Sequence, residues 1–273
     1  MRKIAIYGKG GIGKSTTCAH LSVALSLRGD KVLQIGCDPK HDSCRTIVGD
    51  FIPTVLDIWK QKENEGTEIE ACNILFDGYN GVACIEAGGP EPGVGCAGRG
   101  VIKTMEILED LCIFQNPYDF VIFDVLGDVV CGGFAKPIQV GFANEVYIVT
   151  SGEFMSLYAA NNIAKAINKI GDKTRVYLGG IIQNSRDTPY EDELLNEFAK
   201  RLNVKIIHKI PRSSFIPQCE RQAKTVLEVD KEDFCSKQYI TLAEKISEKP
   251  EGSIPTPMSF EDLRNLCEKF NGD

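Results

Sequence analysis

A glycine-rich segment near the N-terminus constrains the fold of this chain more than any other feature. It matches the phosphate-loop pattern G-x-x-x-x-G-K-S and reads Gly8-Lys9-Gly10-Gly11-Ile12-Gly13-Lys14-Ser15, followed by Thr16. A strand-like run at Lys3–Tyr7 precedes it and a segment of helical period at Lys14–Leu27 follows, as the pattern requires. In such a loop, backbone N–H groups and the helix N-terminus surround phosphate oxygens, the second lysine reaches the β- and γ-phosphates, and the serine hydroxyl binds Mg²⁺. The segment therefore predicts a nucleotide site in which residues 8–16 bind the phosphates and Ser15 contacts the metal ion.

Further β-branched runs alternate with segments of helical period along the chain. The predicted strands are Lys3–Tyr7, Lys31–Ile35, Val82–Ile85, Phe120–Phe123, Glu145–Val149, Val176–Ile182 and Lys205–Ile210. The predicted helices are Lys14–Leu27, Val55–Gln61, Val101–Leu111, Leu157–Ile170, Tyr190–Leu202, Phe234–Glu248 and Phe260–Phe270. This alternation predicts an α/β P-loop NTPase fold, with a mostly parallel sheet flanked by helices on both faces. Residues 1–273 are predicted to form a single domain, with residues 250–273 as a C-terminal arm.

Charge and hydropathy argue against several classes of partner. The chain has 31 Lys+Arg and 38 Asp+Glu, a net charge of −7, and the charges are scattered rather than gathered into a basic stripe, so we expect no nucleic-acid partner. No run of about eighteen apolar residues occurs, so no membrane span is predicted. The first predicted strand begins at Lys3, which leaves no room for a signal peptide and predicts a cytoplasmic protein.

Eleven cysteines are many for such a protein, because disulfides do not persist in the cytoplasm. We expect small buried hydrophobic side chains at Cys18, Cys37, Cys72, Cys84 and Cys112. Two others lie among glycines, Cys96 in the loop 86–100 and Cys131 in the segment 129–135. Glycines let the backbone approach the sulfides of an iron–sulfur cluster and donate hydrogen bonds to them. Two thiolates per chain cannot complete a [4Fe–4S] cluster, but two chains about a twofold axis can.

Acidic residues follow two predicted strands, where ligands bind in parallel sheets. The first segment contains Asp38, Lys40 and Asp42, and the second contains Asp124 and Asp128. A carboxylate there can hold Mg²⁺ or its waters, and another can orient the attacking water. Which aspartate is the base is left open by the sequence. We predict both segments to be nucleotide-sensing switches.

Taken together, these residues resemble those of the nitrogenase iron protein family. Lys9 is similar to the second lysine of the deviant Walker A subgroup, which crosses a dimer interface to the partner subunit's nucleotide. The other stretches that carry the resemblance are residues 38–43, 86–100, 124–135 and 158–163, so it extends over nearly the whole chain.

The resemblance implies a homodimeric, ATP-dependent reductase that binds MgATP and one [4Fe–4S] cluster per dimer. It implies that a low-potential donor such as ferredoxin or flavodoxin reduces the cluster, and that single electrons pass to a nitrogenase or nitrogenase-like catalytic partner. The family's cluster ligands fall on Cys96 and Cys131, and its docking-surface arginine on Arg99. Its phosphate and switch residues fall on Lys9, Lys14, Asp38, Lys40, Asp42, Asp124 and Asp128, and its adenine-side residues on Asn184, Pro211 and Arg212.

The sequence leaves two alternatives open. The first is the reductase component of a tetrapyrrole-reducing complex. The segment 38–42, with its histidine at His41, resembles the L protein of dark-operative protochlorophyllide reductase and the reductase of the coenzyme F430 pathway, whereas Ile254–Met258 resembles nitrogenase iron proteins. The region around Ser213, Ser214, Pro217 and Cys235 departs from the polar nucleotide contacts expected of the family. An alternative of another class is a partition-type regulatory ATPase without redox chemistry, which would share Lys9 but would have no use for cysteines in glycine-rich loops.

Overall fold

The computed structural model describes residues 1–89, 97–127, 142–174, 176–248 and 251–270. Its centre is an eight-stranded sheet of order β3-β4-β2-β5-β1-β6-β7-β8. The strands are β1 (Arg2–Tyr7), β2 (Val32–Gly36), β3 (Phe76–Asp77), β4 (Ala83–Glu86), β5 (Phe120–Asp124), β6 (Glu145–Thr150), β7 (Tyr177–Asn184) and β8 (Ile206–Ile210). All neighbouring pairs are parallel except β3 and β4, which are antiparallel.

Helices cover both faces of the sheet. In chain order they are α1 (Lys14–Leu27), α2 (Arg45–Val48), α3 (Val55–Glu65), α4 (Ala71–Ile74), α5 (Ala97–Asp110), α6 (Phe154–Thr174), α7 (Glu191–Leu202), α8 (Phe215–Glu220), α9 (Val226–Val229), α10 (Phe234–Ser247) and α11 (Phe260–Lys269). In the described part of the chain, single 3₁₀ turns occur at Tyr79–Gly81 and Ile113–Gln115. The predicted fold class is confirmed.

Every predicted strand and helix is present, with ends shifted by a few residues. The predicted Leu157–Ile170 helix is longer, at Phe154–Thr174. Strand β3 was not predicted, because two residues are too short to show a period. For the same reason the short helices α2, α4, α8 and α9 have no signal in the sequence.

The two sides of the sheet are filled by alternate residues of each strand, because successive side chains of a strand point to opposite faces. In β1, Ala5 and Tyr7 belong to one core cluster, while Ile4 and Ile6 belong to the other. All four are completely buried. Full burial of an isoleucine side chain is worth about 2–3 kcal/mol, so the central strands fix the position of the loops at their carboxyl ends.

Helix α1, which begins inside the phosphate loop, is fixed to the C-terminal half of the chain by His20. Nε2 of this fully buried side chain accepts the N–H of Val226 at 3.0 Å, so Nδ1 carries the proton and donates to the carbonyl of Thr16 at 2.6 Å. The ring stacks on Tyr239 with centroids 4.5 Å apart. Burial lowers the pKa of His20 to about 4, so the ring is neutral at physiological pH.

The pH dependence of unfolding tests this arrangement. Between pH 6.5 and about 4 the unfolded chain protonates His20 and the folded chain does not, so the free energy of unfolding falls as the pH is lowered. Chemical denaturation of the nucleotide-free protein across this range should show the wild type losing about 3 kcal/mol more than a His20→Gln variant. Equal losses in the two proteins would show that folding does not change the pKa of His20 and would contradict this arrangement.

The C-terminal segment packs on the sheet and on α6. Ser253 forms an antiparallel bridge with Leu178, and the Asn161 amide both donates to and accepts from the backbone of Met258, each at 2.9 Å. Ser259 accepts the N–H of Asp262 and caps the N-terminus of α11.

Candidate nucleotide site and adjoining segments

A cavity of about 440 Å³ opens at the carboxyl ends of β1, β2 and β5. Most of the predicted phosphate and switch residues line it, together with two that follow β5. The lining residues are Lys9, Gly10, Gly11, Gly13, Lys14, Ser15, Thr16, Asp38, Lys40, Asp42, Leu126 and Gly127. The structure therefore brings the phosphate loop and the two predicted switch segments to one place.

Glycine is required at particular positions of the phosphate loop. Gly11 and Gly13 have φ values of +76° and +93°, in the left-handed region that favours glycine. Gly8 lies so close to the carbonyl of Val149 that a Cβ there would collide with it. Ile12 is buried and its N–H donates to the carbonyl of Lys9 at 3.1 Å. The loop is thus closed by its own backbone and held against β6.

Lys14 and Asp124 form a buried ion pair beneath the cavity. Nζ of Lys14 lies 2.5 Å from Oδ1 of Asp124, and the two residues are 6% and 0% exposed. Burial by itself lowers the pKa of Lys14, but the attraction of Asp124 outweighs it and the net pKa is raised. Oδ2 of Asp124 has no hydrogen-bond partner in the described part of the chain. A charged ammonium therefore lies where a phosphate loop needs one, beside a carboxylate oxygen that is still free to accept.

The first switch segment presents one buried and two exposed side chains. Asp38 is 6% exposed and its Oδ1 accepts the backbone N–H of Lys40 at 3.0 Å. The Lys40 ammonium is 3.8 Å from Oδ2 of Asp38 and its side chain is 71% exposed, so this pair contributes little to stability. Asp42 is exposed at the cavity wall. Cys44, two residues after Asp42, is the N-cap residue of α2.

Of the three predicted adenine-side residues, one touches the phosphate loop. The Nδ2 of Asn184, at the end of β7, donates to the carbonyl of Ile12 at 2.6 Å, and a Cβ on Gly13 would come within 2.5 Å of it. Pro211 and Arg212 directly follow β8, which pairs with β7 through Asn184 and Ile210. Neither of them lines the 440 Å³ cavity.

Several contacts at the site have no motif in the sequence. Gly127 lies on the phosphate loop, where an added Cβ would be 2.5 Å from the carbonyl oxygen of Gly8. The guanidinium of Arg186 donates to the carbonyl of Gly11 at 2.7 Å, and Thr16 donates to the carboxylate of Glu220 at 2.9 Å. Of these residues, Gly127 at least lies in a predicted switch segment, between Asp124 and Asp128.

A second cavity of about 400 Å³ adjoins the first. It is lined by Ser15, Thr16, Asp42, Ser43, Arg45, Thr46, Phe51 and Glu220. The Arg45 guanidinium lies over the ring of Phe51, 5.4 Å from its centroid, and donates to the carbonyl of Glu220 at 3.0 Å. The ring of His41 packs edge-on against the same Phe51.

The two predicted cluster ligands, Cys96 and Cys131, lie outside the described residues, as does Asp128. Arg99 is exposed in the first turn of α5, which begins at Ala97 directly after Cys96. The strands that lead to the two cysteine segments, β4 and β5, both pair with β2 in parallel, so both segments leave the same edge of the sheet. No group of three or more potential metal ligands occurs among the described residues.

The described cysteines are free thiols, and most are buried. Cys18, Cys37 and Cys84 are completely buried, as predicted. The same prediction was wrong for Cys72 and Cys112, which are exposed, because Cys72 lies on the one-turn surface helix α4 and Cys112 has a positive φ in the turn after α5. Burial raises the pKa of the Cys235 thiol to about 11, so this side chain stays protonated and is a poor metal ligand.

Nearly the full length of the chain matches one known protein family. Residues 2–272 match the family of 4Fe-4S iron sulfur cluster binding proteins, NifH/frxC family. A nitrogenase iron protein of Methanospirillum hungatei JF-1 is 51% identical over 273 residues, covering 99% of this chain and 96% of that protein. Nitrogenase iron protein 2 of Methanothermobacter thermautotrophicus is 50% identical over 270 residues, covering 99% and 98%.

Solved structures that resemble the fold are more distant in sequence. The cell division ATPase MinD of Pyrococcus furiosus superposes with a TM-score of 0.68 at 21% identity, covering 90% of this chain and 98% of that one. A ParA family ATPase of Chlorobium tepidum TLS gives a TM-score of 0.68 at 19% identity, covering 89% and 97%. These similarities show the fold alone. No helix in the described part of the chain has the length and apolar character needed to cross a membrane.

Proposed function

Because this chain belongs to the NifH/frxC family of 4Fe-4S iron–sulfur cluster binding proteins, we propose that it is an ATP-dependent nitrogenase reductase. It hydrolyses MgATP and delivers single electrons from a [4Fe–4S] cluster, shared by two copies of the chain, to a nitrogenase-like catalytic partner. The observation that carries this proposal is the 51% identity to a nitrogenase iron protein over nearly the whole of both chains. The likeness to MinD and ParA proteins, at about 20% identity, does not favour a regulatory ATPase.

The phosphate site has the groups that nucleotide hydrolysis needs. Lys14 contributes a buried cation to the β- and γ-phosphates, and Ser15 offers its hydroxyl to Mg²⁺. The backbone of residues 8–13 surrounds the phosphates, and Thr16 and Asn184 hold the two sides of the loop. Lys9 lines the cavity and, in the proposed dimer, reaches the partner subunit's nucleotide. Pro211 and Arg212, at the end of β8, are proposed to lie on the adenine side.

The acidic residues divide between the two switches. Asp38, with Lys40 and Asp42, lines the cavity from one side, and Asp124 lies at its base. Asp128 is proposed to complete the second switch. When the γ-phosphate and Mg²⁺ are bound, Lys14 is drawn toward the phosphates and its hold on Asp124 weakens. Asp124 begins the segment that contains Cys131, so a change at the phosphate alters the surroundings of that thiolate.

The residues present fit a shared iron–sulfur cluster. Cys96 and Cys131 are proposed as its ligands, two from each chain, since both segments leave the same edge of the sheet and the buried thiols elsewhere are held protonated. When bound, such a cluster supplies a low-potential site for one electron. Arg99, exposed directly after Cys96, is proposed to contact the catalytic partner.

The remaining partners follow from the same assignment. We propose that a low-potential donor such as ferredoxin or flavodoxin reduces the protein. We also propose that it acts in the cytoplasm without a nucleic-acid or membrane partner, as a single domain of residues 1–273 with a C-terminal arm at 250–273. The net charge of −7, with basic residues scattered along the chain, argues against a nucleic-acid partner.

An assay of electron delivery tests the proposed function. The reduced protein and MgATP are mixed with a purified nitrogenase catalytic component or with a tetrapyrrole-reducing component, and acetylene or tetrapyrrole reduction is measured. We expect MgATP-dependent reduction of acetylene. Transfer to the tetrapyrrole component with none to nitrogenase would contradict the proposed partner but leave the ATP and cluster chemistry intact.

Reversal of the charge at Arg99 should abolish this transfer. An Arg99→Glu change places like charges together at the docking face, which costs several kcal/mol and lowers transfer by about a hundredfold or more. Nucleotide binding and cluster content should be unchanged. A Lys231→Glu variant, altered at an exposed lysine in the loop before α10, is the matched control and should transfer electrons normally. Normal transfer by Arg99→Glu would remove Arg99 from the docking surface.

A further inference from the structure

Glu86, the last residue of β4, has a buried carboxyl group that does not line the phosphate cavity. The residue is 1% exposed. Its Oε1 accepts the backbone N–H of Cys44 at 2.6 Å, and its Oε2 has no hydrogen-bond partner in the described part of the chain. Oε2 occupies the space beside Gly36 so fully that a Cβ on that glycine would collide with it. Burial of a carboxyl group costs free energy when one of its oxygens is left without a hydrogen bond.

The hydrogen bond between Glu86 and Cys44 joins the switch segment 38–44 to the loop 86–100, which contains Cys96. Cys44 is the N-cap residue of α2 and stands two residues after Asp42, which lines the phosphate cavity. Glu86 stands at the start of the loop that contains Cys96. The two segments are 42 residues apart in sequence, so this bond connects them directly through tertiary structure.

A second contact joins the same segments a few residues further along. Gly89 packs on Pro39, and a Cβ on Gly89 would be 2.7 Å from Cβ of the proline. Gly89 does not have a positive φ, so this close approach, and not backbone strain, is what requires glycine there. Pro39 follows Asp38, another residue of the cavity wall. The pyrrolidine ring of Pro39 fixes its φ, so the backbone there has little freedom to move away from Gly89.

Both ends of the Cys96 loop pack against Thr54 and Leu56, at the start of α3. The N–H of Leu56 donates to the carbonyl of Ala87 at 3.3 Å, and Gly88 lies against the side chain of Thr54. On the far side of the loop, an added Cβ on Gly100 would be 2.9 Å from the side chain of Leu56 and 3.5 Å from Cα of Gly89. The loop therefore cannot shift at one end without repacking against the other and against Pro39.

We propose that Glu86 and Gly89 are positioning residues that couple the switch segment 38–44 to the loop carrying Cys96. The inference rests on the proposed function, in which Cys96 is a cluster ligand. The segment after Asp124 connects the nucleotide to Cys131 alone, so Glu86 and Gly89 give the second ligand its own connection. A shift of Asp38 and Asp42 on nucleotide binding is passed on by the Pro39–Gly89 packing and by the Cys44–Glu86 hydrogen bond.

The protonation state of Glu86 determines which substitution should be neutral. Burial, the main cause, raises its pKa to about 8, so the side chain is protonated at neutral pH. Glutamine has the same shape and keeps the acceptor for the Cys44 N–H, whereas methionine keeps the length and loses the acceptor. A Gly89→Ala change adds a single methyl group that must displace Pro39.

The test measures how fast an iron chelator removes iron from the protein, with and without MgATP. We expect MgATP to accelerate chelation in the wild type and equally in Glu86→Gln. In Glu86→Met and Gly89→Ala the acceleration should fall by about tenfold, which corresponds to a coupling of about 1.4 kcal/mol. The affinity for MgATP and the chelation rate without nucleotide should stay within about twofold of wild type, because neither residue contacts the phosphate cavity.

The outcomes separate this inference from the proposed function. A wild-type protein that binds no cluster, or whose chelation does not respond to MgATP, refutes the proposed function and this inference with it. A normal wild-type response that persists in full in Glu86→Met and Gly89→Ala refutes the inference alone. If Glu86→Met does not fold, Gly89→Ala decides, since its backbone conformation is open to alanine.

Discussion

Replacement of Lys14 by glutamine is expected to remove the response of this protein to MgATP. The variant loses the buried cation that faces the β- and γ-phosphates, and loss of one such group lowers hydrolysis by about 10²–10³-fold. MgATP should no longer accelerate iron chelation, because the phosphate can no longer compete with Asp124 for the lysine. Hydrolysis and chelation are measured on the same anaerobic preparation.

The same change has a second, independent consequence for stability. Without Lys14 the fully buried carboxylate of Asp124 has no cation beside it, and breaking such a pair costs about 3–5 kcal/mol. Denaturation of the nucleotide-free protein measures this loss. A Lys40→Gln variant is the control for stability, because the Lys40 side chain is 71% exposed and its ion pair is worth less than about 1 kcal/mol. A Lys14→Gln protein with normal stability and a normal MgATP response would contradict this assignment.

The fold and the phosphate loop could be predicted from the sequence because both rest on local patterns. Strands β1, β2 and β5 are short segments rich in apolar residues, and the loop at 8–15 combines left-handed glycines with a lysine and a serine at fixed spacing. The carboxyl ends of parallel strands meet at one edge, so Asp38 and Asp124 could be placed near the loop before the structure was known.

The contacts that the sequence did not reveal join residues far apart in the chain. Arg186 reaches Gly11 across 175 positions and Glu220 reaches Thr16 across 204, and neither partner belongs to a recognisable pattern. Glu86 was noted only as part of a glycine-rich loop, since its burial depends on Gly36 and Cys44. The prediction for Cys72 and Cys112 was wrong for a different reason. It applied the average preference of cysteine for the interior to residues that lie in a short surface helix and in a turn.

The largest expected effect is the loss of the cluster from variants of its proposed ligands. Cys96→Ser and Cys131→Ser should each lose the iron and the EPR signal of the reduced protein, because a hydroxyl group is a poor substitute for a thiolate in such a cluster. Cys72→Ser and Cys112→Ser are matched controls, since both residues are exposed free thiols, and they should keep the full iron content. Cys219→Ser and Cys235→Ser should keep it as well.

The account depends most on one cluster being shared by two chains. Native mass measurement of the anaerobically purified protein, combined with iron analysis, tests this directly. We predict a species of two chains that carries about four irons, and its absence in Cys96→Ser and in Cys131→Ser. A single chain that retains about four irons, or a dimer of either variant with its full iron content, would contradict the assignment.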